Sequence, residues 1–98
     1  MKVIKISNID PMDSRTYSEQ GTTGRNVEME RLELDGKTVG YILTYRVYEY
    51  EDEYRDSIVD ERITKQHYYS DFKQARKQFN RDTARCYGGV KDFRVAWI

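Results

Sequence analysis

The sequence predicts an α+β domain: a small antiparallel or mixed sheet of four to five strands with one helix, about 71–86, packed on it, in the order β-loop-β-β-β-α-β. Three observations carry this. Asp35-Gly36 stands between two runs of strand-like composition, and a two-residue turn with positive φ at both central positions favours that pair. Phe72, Ala75, Phe79, Thr83 and Cys86 recur at helical spacing, which lays one apolar stripe on a helix of about four turns. The chain has 98 residues, 13% of them aromatic. That length holds one hydrophobic core and buries roughly two-thirds of the unfolded surface, so residues 1–98 read as a single domain.

Taken in order, Lys2 to Ser7 alternates and is rich in Val and Ile, which suits a short strand at an edge or beside the C-terminus. Residues 8–26 contain Asp, Pro, Ser, Thr, Gly, Gln and Arg, with Ile9, Met12 and Tyr17 as apolar anchors. This is loop composition, and a loop that long in a small domain is often functional or mobile. Pairing outward from Asp35-Gly36 sets Leu34 opposite Lys37, Leu32 opposite Val39, Glu30 opposite Tyr41 and Glu28 opposite Leu43 on one face, with Met29 opposite Ile42 on the other. Along the second strand Val39, Tyr41, Leu43, Tyr45 and Val47 form the core side, and Ile42, Thr44, Arg46, Tyr48 and Tyr50 the amphipathic side.

Glu49 to Asp56 carries too much like charge for a central strand and reads as a turn or an overhanging hairpin tip. Ser57 to Tyr69 resumes strand character with Ile58, Val59 and Ile63. Ser70 is the expected N-cap, with Asp71 in the first helical turn where a negative charge favours the dipole. Gly88-Gly89 ends the helix, and Val90 to Ile98 closes as a strand that buries Phe93, Val95 and Trp97.

Composition excludes several classes. Cys86 is the single cysteine, so an internal disulfide and a multi-cysteine zinc site are ruled out, and a reducing compartment, the cytoplasm by default, is expected. No segment approaches the roughly 18 apolar residues of a membrane span, and Met1 to Ser7 is too short and too charged for a signal peptide. Lys plus Arg equals Asp plus Glu at 17 each, which removes the electrostatic prior of a strongly basic nucleic-acid binder. That neutrality conceals a division. Residues 1–25 sum to +1, residues 26–61 to −7 and residues 62–98 to +6. The two charged regions either pair with each other within the fold or face outward to partners.

Each chemical candidate meets a plainer account. His67 is the only histidine and the only side chain that ordinarily titrates near neutrality; alone near a strand end, it reads more simply as a surface or hydrogen-bonded residue. Cys86 at a helix C-terminus has a thiol disfavoured as a thiolate and reads as a small buried hydrophobe. Glu49, Glu51, Asp52 and Glu53 match no cation-binding spacing, and an EF-hand loop is absent, so no metal or other cofactor is expected. Gly21 and Gly24 beside Arg25 would make an anion nest only with supporting geometry and otherwise form a flexible turn.

Two constellations suit binding to macromolecules. Tyr48, Tyr50 and Tyr54 are interleaved with Glu49, Glu51, Asp52 and Glu53. Tyrosine offers large contact area and a hydroxyl at low entropic cost, so this tip suits a basic protein partner, even a nucleic-acid-binding protein, or a second copy of the chain. Lys73, Lys77, Arg81 and Arg85 recur every four residues with Arg76 beside them and Asp82 breaking the sign. They form a ridge about 18 Å long that suits phosphates of a nucleic acid or an acidic protein. No catalytic set is present. In profile, rather than in sequence, this charge-segregated chain resembles the small inhibitor proteins of phages and mobile elements, such as anti-CRISPR proteins. That resemblance implies a non-catalytic protein that occludes a larger one.

Overall fold

The computed structural model describes residues 4–88, with side chains in the helix as far as Thr83. Four strands, β1 (Asn8–Gln20), β2 (Thr23–Leu34), β3 (Lys37–Tyr50) and β4 (Ile58–Tyr69), precede one helix, α1 (Phe72–Gly88). The strands form an antiparallel sheet in the order β1-β2-β3-β4, each pairing among the described residues with its neighbours in sequence. α1 packs across one face. Tyr17, Val27, Met29, Leu43 and Tyr45 from the sheet and Ala75 and Phe79 from the helix make the core, with Tyr41 and Tyr69 half-buried at its border. The expected α+β architecture is therefore present. The expected strand at Val90–Ile98 lies outside the described residues.

The largest departure is at residues 8–26, which form not a loop but β1, a tight turn and the start of β2. Only Tyr17 of β1 is buried, so burial alone does not hold the strand. Polar cross-strand contacts do much of that work. Asn8 Nδ2 donates to Glu33 Oε1 at 2.8 Å, Asn26 Nδ2 to Ser14 Oγ at 3.0 Å, and Arg31 pairs with Asp10. Pro11 is tolerated because an edge strand has backbone positions with no ladder partner. Gly21 supplies the positive φ, 58°, at the first position of the two-residue turn, where glycine bears no steric penalty. The short strand expected at Lys2–Ser7 does not form over residues 4–7, although the Ser7 N–H donates to the Glu33 carbonyl at 2.7 Å.

The Asp35-Gly36 hairpin forms with φ of 50° and 81°, and Leu34 faces Lys37, as the turn chemistry predicts. Beyond Thr38 the expected register is wrong by one residue. Val39 is left unpaired as a bulge, so Leu32 faces Gly40, Glu30 faces Ile42 and Met29 faces Leu43. The reason is face-matching. Without the bulge Glu28 and Glu30 would share a face with Leu43 and Tyr41, whereas with it Val27 and Met29 meet Tyr45 and Leu43 in the core. The bulge's exposed carbonyl is satisfied by the Tyr68 hydroxyl, which donates to Val39 O at 2.6 Å. Tyr68 can reach it because it crosses directly over Gly40, where a Cβ would stand 2.3 Å from the ring.

Both edge strands carry two further irregularities: β1 after Pro11 and after Thr16, and β4 at Val59 and Thr64. Bulges of this kind, with Pro11, blunt an edge against pairing with another chain. At the helix start the cap is Asp71, not Ser70. Asp71 Oδ2 accepts the Gln74 N–H and its carbonyl accepts the Ala75 N–H, both at 3.2 Å, leaving no acidic residue in the first turn. Asp precedes the helix with the same capping geometry as Ser and also complements the dipole.

Candidate functional site

The acidic tip divides into an anchored base and an exposed loop. Glu49 accepts hydrogen bonds from the Thr23 hydroxyl at 2.8 Å and the Thr22 hydroxyl at 3.3 Å, which fastens the end of β3 to the β1–β2 turn. The Tyr50 ring lies over Gly24, whose missing Cβ would stand 3.1 Å from it. Gly24 thus serves as a floor for a ring, and with Gly21 occupied by the hairpin turn the pair forms no anion nest. Tyr48 is half-buried opposite Glu61, and burial together with that carboxylate raises its hydroxyl above the usual range. Of the three tyrosines of the acidic tip, the sheet thus takes up Tyr48 and Tyr50.

Glu51, Asp52, Glu53 and Tyr54 remain outside, Tyr54 at 83% exposure. The loop that carries them is built rather than slack. The Glu51 N–H donates to Ser57 O at 2.8 Å, Asp52 accepts the Tyr54 N–H on Oδ1 and the Arg55 N–H on its carbonyl, and Arg55 adopts φ 58°. Arg55 in turn reaches Glu19 of β1 at 3.6 Å. Ile58 and Val59, both more than half exposed, continue from the loop along the outer edge.

On the helix, Lys73, Lys77 and Arg81 are exposed and make no ion pair among the described residues. Arg76 does not belong to that ridge. Its guanidinium pairs with Asp13 of β1 at 2.8 Å and lies over the rings of Phe72 and Phe79, so it clamps helix to sheet. Asp13 also accepts the Ser14 N–H and approaches Arg15 at 3.4 Å; the Arg76 hydrogen bond holds its carboxyl below the usual carboxylate range. Asp82 does not interrupt the ridge either, because it is buried, accepting the Tyr45 hydroxyl at 2.5 Å and Gln78 Nε2 at 2.8 Å. The side chains of Arg85 and Cys86 lie outside the described residues. Lys73, Lys77 and Arg81 therefore do not pair with the acidic loop among the described residues.

His67 lies on the helix-bearing side of β4 with its ring between Tyr45 and Tyr69, 6.4 Å from each. No carboxylate or nucleophile among the described residues is hydrogen-bonded to it. No three His, Cys, Asp or Glu residues converge as metal ligands among the described residues, and no described helix is long and apolar enough to cross a membrane.

A third surface lies on the opposite side of the sheet, which no described element covers. There Ile4, Ile6, Ile9, Leu32, Ile42 and Tyr68, with Glu30 and Gln66, line an open groove of about 260 Å³. Leu32 and Thr44 are buried beneath it, Thr44 under the Gln66 amide, which donates to its hydroxyl at 3.1 Å. Farther along the same face, Arg46 pairs with Glu28 at 2.8 Å and with Glu61 at 3.5 Å. The groove is absent from the sequence reading because its walls come from the amino-terminal segment and from β1 to β4, and only the Val39 bulge aligns them. The available signal was the Ile4, Ile6, Ile9 spacing.

Compared with known protein families, curated proteins and solved structures, the chain matches none. Its function is therefore argued from its surfaces alone.

Proposed function

We propose that the chain is a non-catalytic, cytoplasmic macromolecule-binding protein that docks a larger, basic protein through the Glu51 to Tyr54 loop and occludes it, in the manner of small phage and mobile-element inhibitors. One observation supports this most: three carboxylates and a fully projecting tyrosine stand on a loop already held by its own hydrogen bonds. A preordered loop loses little entropy on binding, and Tyr54 beside carboxylates complements a basic groove by area and by charge. Reversing the charge with Glu51→Lys, Asp52→Lys and Glu53→Lys leaves the folding contacts of Glu49 and Tyr50 in place. In a pull-down from the native host, the variant is expected to lose a partner that wild type retains. Retention of every partner removes the loop from the binding surface.

The exposed ridge of Lys73, Lys77 and Arg81, without an ion pair among the described residues, favours a second reading, a small nucleic-acid-binding domain that also uses Arg85. Phosphate contacts release counterions, so three or four of them give duplex DNA affinity a log–log salt slope of about −3 to −4. No binding to DNA or RNA at low salt eliminates this reading.

A further inference from the structure

The groove on the helix-free face is apolar everywhere except at Glu30 and Gln66. Gln66 is engaged with Thr44. Glu30 is half-buried and takes no hydrogen bond or ion pair among the described residues. Arg46, whose charge reaches Glu30, is committed elsewhere, since it places Nη1 on Glu28 and turns Nε toward Glu61. Apolar surroundings, with Glu28 near, raise the Glu30 carboxyl above its usual range. A carboxylate beside aliphatic walls is costly unless a cation satisfies it.

From this we infer that the groove formed by Ile6, Ile9, Leu32, Ile42 and Tyr68 docks a segment of a partner protein that presents an aliphatic side chain next to a lysine or arginine, the cation meeting Glu30. Size selects a side chain over a larger ligand, because 260 Å³ falls below the roughly 300–1,000 Å³ of pockets that hold drug-sized molecules. Charge selects a basic segment, since Glu28, Glu30 and Glu61 outnumber Arg46, which pairs with the first and last of them, on this face and disfavour phosphates and acidic peptides. The proposal rests on the reading of the chain as a protein-docking domain but places a second contact away from the loop. Ile42 and Tyr50 are eight residues apart along β3, roughly 26 Å at about 3.3 Å per residue.

The probe is acetyl-Gly-Leu-Lys-Leu-Gly-amide, titrated into the full chain while methyl resonances of Ile42 and Leu32 and the Glu30 carboxyl carbon are followed by NMR. The lysine peptide is expected to shift these resonances, and the same peptide with glutamate in place of lysine to bind at least about tenfold more weakly, as loss of a charge-assisted contact implies. Glu30→Gln should close that gap. Should that variant fold poorly, Ile42→Ala is expected to weaken both peptides together. Lys77→Glu, on the far side of the molecule, should change nothing. Equal binding of the two peptides, or no shift with either, overturns the proposal. So do nuclear Overhauser contacts from Ile42 or Leu32 to residues 1–3 or 89–98, which would mean that the chain fills its own groove. The triple-lysine loop variant should bind the peptide as wild type does, so failure of the loop reading and failure of the groove are read separately.

Discussion

The two faces of the sheet use the same four strands for different ends. Beneath α1, Val27, Met29, Leu43, Tyr45, Ala75 and Phe79 are buried to within 1%, and three polar contacts frame them: Tyr45 with Asp82, Arg76 with Asp13, Arg15 with Thr83. On the opposite face the aliphatic residues Ile6, Ile9 and Ile42 remain partly open to solvent, and Glu30 has no partner among the described residues. A small domain that buries its large apolar side chains on one side and leaves an open apolar groove on the other has concentrated hydrophobic stabilisation in the first. The second is the face for which docking is proposed above.

The sharpest way to break this comparison is Phe79→Ala. The ring is fully buried, sits at the helix–sheet contact and carries Arg15 at 4.6 Å and Arg76 at 5.4 Å. Truncation is expected to cost about 3–5 kcal/mol, seen in the denaturation midpoint; a loss no larger than that of Ile42→Ala would equate the faces. Next is Tyr45→Phe, which removes the hydroxyl donated to buried Asp82 and is expected to cost about 1–3 kcal/mol. Burial and the Asp82 carboxylate push the Tyr45 hydroxyl far above its ordinary range, so wild-type Tyr45 should stay protonated in a spectroscopic titration until the fold is lost.

Gly40→Ala tests the other face. Its Cβ would collide with the Tyr68 ring, so Tyr68 must swing out, release the Val39 carbonyl and open the groove wall. The expected loss is about 1–2 kcal/mol, with a larger fractional effect on peptide binding than on stability. The smallest effect belongs to Asp13→Asn, about 0.5–1 kcal/mol at neutral pH, as for a partly exposed ion pair. Because Arg76 lowers the Asp13 carboxyl in the folded state, its contribution is full above the unfolded value of about 3.9. It is lost as pH falls through the lower folded value. Wild type and variant should therefore converge in acid, and a gap that widens there would contradict the sign.

Legibility in the sequence followed the range of the interaction involved. Asp35-Gly36, the β3 alternation and the stripe from Ala75 through Phe79 to Thr83 are local signals, and the structure honours them, with Phe72 at the head of the stripe left 39% exposed. β1 was hidden because its strand state depends on partners 12 to 25 residues away, Asn26, Arg31 and Glu33, rather than on its own propensity. The register beyond Thr38 was hidden because a bulge is chosen by which faces must match, a property of two strands at once. The same holds for the surfaces. The exposed loop and most of the basic ridge were visible as charge runs, whereas the clamp role of Arg76, the burial of Asp82 and the Glu30 groove arise only when distant segments meet.

The meander also shapes how the chain reaches this form. Its turns span two residues at Gly21-Thr22, two at Asp35-Gly36 and seven from Glu51 to Ser57, so none of the strand pairings among the described residues waits on closure of a long loop. Each hairpin is a unit that forms in about 1–10 μs. The long-range event is α1 returning to β1, where Arg76 finds Asp13 across 63 positions. Substitutions at that clamp should therefore alter the late docking of the helix and speed unfolding, while hairpin substitutions slow the approach to the native sheet.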